Sequence, residues 1–283
     1  MRSASIGLFT SLFLAAGISG AAAQAESGPR VAPSPGRIAV TPHVGTDVTI
    51  GGIMAESATA RITFTDNFAG IAFDNPGFVR TRTLQFNDLY GAVSDVGVGF
   101  AYGVSDRGEL FGNFRYLHAA GKRTAVGNIS VTGSVGGTGY AAGAALIATP
   151  SNFSSGAIEA GYRHFIPTGG PLLPYFSGML GVNRTGSIDA QLFVDGGANG
   201  ELKAGRVKVY NLSTSAAAGF NVGVTYAMAP QAALGFETGV RYDGKLNGDD
   251  SDLGRGGDGG LAGLNNSGNR WSIPLRLTGR FAF

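Results

Sequence analysis

Read back from the last residue, apolar and polar positions take turns. One parity carries Phe283, Phe281, Gly279, Leu277, Leu275, Ile273 and Trp271; the other carries Ala282, Arg280, Thr278, Arg276, Pro274 and Ser272. A period of two belongs to a β-strand whose faces meet different surroundings. The pattern recurs upstream. Over 37–50, Ile38, Val40, Pro42, Val44, Val48 and Ile50 oppose Arg37, Thr41, His43, Asp47 and Thr49. Over 211–228, Leu212, Phe220, Val222, Val224, Tyr226 and Met228 oppose Asn211, Ser213, Ser215, Asn221, Gly223 and Thr225. Over 232–243, Leu234, Phe236, Val240 and Tyr242 oppose Gly235, Glu237, Gly239, Arg241 and Asp243. Less regular versions run through 88–104, 110–119, 153–166 and 172–188. These segments predict eight strands.

Their connections alternate in length. "SDRG" (105–108), "PTGGP" (167–171) and "APQ" (229–231) read as tight hairpin turns, and the segments 51–86, 122–152, 189–209 and 246–269 are long. A barrel threaded through a membrane has short turns on one side and long loops on the other. Pairing across Pro230 sets Met228 against Ala232, Tyr226 against Leu234 and Val224 against Phe236, with Gly223 opposite Glu237. A slip of one residue would send every side chain to the wrong face.

Composition decides which face looks where. The chain has 283 residues with 48 glycines, and only 14% are charged. Turned inward, the apolar face would crowd a small barrel with rings and leave glycines facing water. Turned outward, it meets lipid, and the small polar residues fit the lumen. Closure follows, because an open sheet edge leaves backbone groups unpaired in hydrocarbon. Tyr90, Tyr102, Tyr116, Tyr210, Tyr226, Tyr242 and Trp271 fall on the outward parity, as interfacial belts require. The fold class expected is all-β, a transmembrane antiparallel up-and-down β-barrel. Eight strands are expected, with ten or twelve as alternatives if apolar stretches in 51–86 and 122–152 cross the membrane instead of forming a β-rich rim.

The start carries a positive end, the apolar run "IGLFTSLFLAAGI" and the small residues "SGAAAQAES", the order of an export signal. The division expected is a signal peptide over 1–25, a Pro-rich periplasmic linker over 26–36 and the barrel over 37–283. A net charge of +2 does not suggest nucleic acid, and the lack of cysteine excludes thiol chemistry and disulfides.

The terminal "RLTGRFAF" resembles the C-terminal assembly signal of bacterial outer-membrane barrels, with Phe281 and Phe283 as its aromatics. The eight-strand plan resembles the transmembrane domain of OmpA and the opacity-type and OmpW-type small barrels. "PYFSGMLGVN" (174–183) is similar to a strand those families write with glycines at alternate positions, although Ser177 and Met179 depart from it. The resemblance implies a bacterial outer-membrane location. It also implies the assembly machinery and periplasmic chaperones as partners, and outer-membrane lipid and lipopolysaccharide as neighbours. Host or other cell surfaces are further candidate partners.

Candidate chemistry is confined to the lumen. His43, Asp47, Asp95, Arg115, Glu159, Arg163, Glu237, Arg241, Asp243, Arg276 and Arg280 share the inward parity. Five acids against five arginines suggest mutual pairing that plugs the barrel; a gated pore or narrow channel is the alternative. Glu237 and Arg241 are roughly 13 Å apart along one strand, so partners such as Arg276 and Arg280 are expected across strands. No catalytic constellation is expected. His118 and His164 fall on the outward parity, but His118 has no serine two residues away and His164 lies beside a short turn, on the wrong side of the membrane; the acids of "GDDSD" (248–252) have no histidine nearby. Calcium at 243–270 is a minor alternative because no ligand spacing fits, so no cofactor or metal is expected. A lipid-modifying enzyme is the least favoured reading.

Overall fold

The computed structural model describes residues 31–63, 76–135, 138–195, 200–253 and 260–283. The signal peptide and the first half of the linker therefore lie outside the described residues. In chain order the strands are β1 (Ile38–Gly51), β2 (Ile53–Ala55), β3 (Thr59–Thr63), β4 (Pro76–Thr81) and β5 (Leu84–Gln85). A short helix α1 (Phe86–Leu89) leads to β6 (Val93–Gly103), β7 (Gly108–Ala119), β8 (Thr124–Val135) and β9 (Thr138–Pro150). The chain continues through β10 (Phe153–Phe165), β11 (Leu172–Thr185), β12 (Ile188–Asp195), β13 (Glu201–Tyr210), β14 (Ser213–Ala229), β15 (Ala232–Asp243) and β16 (Arg270–Ala282).

Eight of these strands close a barrel in the order β1-β16-β15-β14-β11-β10-β7-β6. Every neighbour pair is antiparallel, and β1 pairs with both β6 and β16, which removes the free edge. The eight-strand expectation holds, and the extra strands do not join the ring. β8 and β9 belong instead to a second sheet, ordered β13-β12-β9-β8-β4-β3, built from the long connections. β2 and β5 form a separate two-stranded ribbon.

The alternation read from the sequence sets the faces. Val44, Phe114, Ile158, Leu180, Phe220 and Leu277 are exposed on the outside, while Asp47, Arg115, Glu159, Asn183, Asn221 and Arg276 are buried inside. Glycine lets the chain place large inward side chains beside one another. A Cβ on Gly223 would lie 2.3 Å from the Tyr175 ring, and one on Gly97 would lie 2.6 Å from His43 Cε1. Tyr226 pairs with Leu234, Val224 with Phe236 and Gly223 with Glu237, as expected. Met228 does not pair with Ala232. A register shift between Ala227 and Ala229 sets Ala229 there and turns Met228 out of the ladder, the usual effect of a bulge beside a turn.

Two apolar clusters flank the charged middle. At the end with the long connections, Met54, Leu84, Phe86, Tyr90, Leu117, Leu146, Phe153, Ile188 and Tyr210 form one core between the barrel mouth and the second sheet. At the other end, Val31 packs with Phe165, Leu173, Tyr175 and Ala233. The described half of the expected extended linker is thus folded over the barrel mouth. The Gly36 N–H donates to the Gly103 carbonyl, and the Arg280 guanidinium donates to the Val31 carbonyl at 2.8 Å.

Candidate functional site

The inward parity of eight strands brings all eleven predicted residues into the barrel interior, each of them buried. They form three contiguous tiers. Nearest the second sheet, Arg270 Nη2 lies 2.5 Å from Asp243 Oδ2 and 3.5 Å from Asp47 Oδ2. Asn183 donates to Asp243 Oδ1, and the Arg270 guanidinium lies over the rings of Phe86 and Phe153.

In the middle tier, Arg115 reaches Asp47 at 3.4 Å, Asp95 at 3.5 Å and Glu159 at 3.0 Å. Arg241 also pairs with Glu159, and Asn113 donates to its other oxygen. Arg276 bridges downward, from Asp95 at 2.5 Å to Glu237 at 3.2 Å. His43 Nε2 stands 3.6 Å from Asp95.

In the lowest tier Glu237 accepts from Tyr175 and Asn221. Arg163 pairs with Glu109 at 2.7 Å while its guanidinium is sandwiched between Phe111 and Tyr175. Arg280 was expected to pair with Glu237; it binds Glu109 instead, through a two-pronged contact of 3.0 and 2.6 Å. The reason is height. Arg280 stands opposite Ala233, four residues from Glu237 along β15, whereas Arg276 stands opposite Glu237 itself.

Glu109 and Arg270 are the two members missed in the sequence. Both share the inward parity but sit at the first turn of their strands, where periodicity is weakest. With them the interior holds six carboxylates and six guanidiniums among the described residues. The space left among them is a cavity of about 30 Å³ lined by His43, Asn113, Arg163, Glu237, Arg241 and Arg276.

Above the charged tiers the apolar core contains a second cavity of about 80 Å³, lined by Met54, Leu84, Val126, Leu146, Ile188 and Leu264. Tyr90 and Tyr210 belong to this region and not to the outer belt expected of them. They lie beyond the barrel strands, where barrel parity no longer governs side-chain direction. Both are fully buried, Tyr90 donating to the Ser151 carbonyl and Tyr210 to the Met54 carbonyl. Burial pushes both phenols above their ordinary pKa. Tyr102, Tyr116, Tyr226 and Trp271 do face outward.

The remaining candidates separate. His118 is exposed, and in register it stands between Ser94 and Ser154 of the adjacent strands, neighbours that a search along one strand does not find. His164 packs beside Tyr162 and Phe176 at the opposite end. In the 243–270 segment the acids bind the chain's own amides: Asp249 accepts from Ser251, Asp250 from Gly263 and Asp252 from Lys208. Phe281 is the last outward residue of β16, and Phe283 follows the strand and is exposed.

An apolar exterior around a polar, charged interior is the reverse of a water-soluble barrel. Such a closed wall pairs its strands all the way round, as a β-barrel that spans a membrane must. No known family and no curated protein matches the sequence. Among solved structures, Neisserial surface protein A is 15% identical, with 88% of this chain and 99% of that one covered, at a TM-score of 0.41. The attachment invasion locus protein Ail of Yersinia pestis is 11% identical over 88% and 99%, at 0.36. OprG of Pseudomonas aeruginosa is 11% identical over 89% and 98%, also at 0.36. At these scores no function passes between the chains.

Proposed function

We propose that this protein is a closed-lumen outer-membrane barrel whose role is structural and interactive, without catalysis. Its termini face the periplasm, and its long connections build a cap outside the cell that meets host or other cell surfaces. Phe281 and Phe283 serve as the assembly signal read by periplasmic chaperones and the insertion machinery.

One observation carries the closed lumen: six carboxylates and six guanidiniums interlock in a single buried cluster. An ion entering it would have to break charge pairs in a low-dielectric site, where each unpaired charge is costly. The apolar core stacked above adds a layer that does not hydrate ions. An eight-stranded barrel is just wide enough for side chains to fill.

A planar-bilayer recording tests this. The folded protein is expected to show no steady openings over hours at moderate voltage. Sustained, uniform conductance steps would establish the narrow channel in its place.

A further inference from the structure

The outer wall of the barrel carries one permanent charge among the described residues. Along the eight strands the outward positions are aliphatic, aromatic, glycine or hydroxyl-bearing, apart from the imidazoles of His118 and His164, until Arg184 of β11. Arg184 is exposed, and no carboxylate pairs with it among the described residues. It is the penultimate residue of its strand, at the end that bears the cap. A guanidinium on the lipid face is tolerated near the headgroups and penalised deeper in the hydrocarbon.

Directly beside it the wall has a notch. In register Arg184 faces Gly156 on one side and Thr214 on the other, and Gly156 faces Tyr116. A Cβ added to Gly156 would meet no atom within 4 Å. Gly156 lies on the floor of an open groove of about 690 Å³ that runs across β6, β7, β10, β11 and the start of β14, walled by Val96, Phe114, Tyr116, Ile158 and Val182 and including Arg184 and Thr214. The next row toward the cap is polar: Ser94, His118 and Ser154 stand side by side on neighbouring strands.

We propose that this face seats a phosphorylated glycolipid of the outer leaflet. One acyl chain lies in the groove over Gly156, its phosphate takes the Arg184 guanidinium, and the Ser94–His118–Ser154 row hydrogen-bonds the sugar headgroup. The vertical order matches such a lipid: hydrocarbon below, one cation at phosphate height, neutral hydrogen-bonding groups above. The assignment to the outer leaflet rests on the orientation proposed above, with the cap outside the cell.

The purified, folded full-length barrel in detergent, titrated with bis-phosphorylated lipid A and observed by native mass spectrometry, tests the site. A one-to-one complex is expected. Arg184→Gln should weaken it about tenfold, the worth of one charge-assisted hydrogen bond. Arg184→Lys should retain most of it. Gly156→Leu, which fills the groove from the membrane side without touching the interior, should weaken it comparably while heat-modifiable migration confirms folding. Dephosphorylated lipid A should bind poorly, and inorganic phosphate should not displace the lipid.

Wild-type affinity in both Arg184→Gln and Gly156→Leu overturns the site. Full displacement by inorganic phosphate overturns the lipid in favour of a free anion. Arg184-dependent binding that prefers phosphatidylglycerol overturns the leaflet, and with it the orientation, while leaving the cation in place. A conducting barrel that still binds lipid A through Arg184 would fail the closed-lumen reading alone.

Discussion

Arg115 shows how the interior works residue by residue. One guanidinium serves Asp47, Asp95 and Glu159, so no carboxylate in the middle tier depends on a single partner. Removing one member of such a set leaves its neighbours buried and uncompensated, which costs about 3–5 kcal/mol when one partner of a buried pair is lost. The forked contact between Glu109 and Arg280 is the place to measure this, because it lies at the edge of the network. Glu109→Gln and Arg280→Gln should each lower unfolding stability in detergent. The double variant should lose less than the sum, with a coupling of about 1–3 kcal/mol. Additive losses would mean that the two side chains do not stabilise one another. Eleven of these residues were legible as a period-two parity. Glu109 and Arg270 were not, because a strand's first residues have no flanking repeat to reveal their face. The partner of Arg280 was hidden for another reason: parity gives the face of a side chain and not its height relative to a neighbouring strand.

At the scale of elements, the cap departs most from a reading by periodicity. β8, β9, β12 and β13 carry apolar stretches of strand length, yet they pair with one another in a separate sheet. Their inner face covers the barrel mouth, and Tyr90 and Tyr210 anchor that junction through their hydroxyls. Both phenols have raised folded-state pKa values, so the stability they contribute is fully present below their unfolded value near pH 10 and is lost as pH rises toward the folded values. Titration of tyrosinate absorbance should therefore show late-ionising phenols, two fewer of them in Tyr90→Phe/Tyr210→Phe. Ionisation of both near pH 10 in the wild-type protein would contradict their burial. Tyr210→Phe alone should cost about 1 kcal/mol, the net worth of one hydrogen bond.

The whole molecule stacks three layers along the barrel axis: an apolar cap, a charged middle and an apolar closure at Val31. On the closed-lumen proposal each layer is a separate barrier, so their roles can be tested apart. Replacing 122–152 by a short turn should leave the barrel heat-modifiable and still closed in bilayer recordings, since the ionic tiers remain. Channel openings after that replacement would put the barrier in the cap. A narrow barrel tolerates the twelve buried charges of the described residues because cross-strand partners supply the neutralising charge that water would otherwise provide.

The amino-acid order alone determined the strand period, the hairpin turns, the inside-out placement of apolar residues and the inward set of charges. All of these are consequences of local spacing, which a two-residue repeat makes visible. The tertiary structure decided what depends on closure: which guanidinium meets which carboxylate, that the long connections form their own sheet, that 31–36 folds over the mouth, and that Arg184 stands beside an empty notch at Gly156. Those relations join residues on different strands at heights set by the stagger of the barrel, and stagger belongs to the closed ring, not to any one segment of the chain.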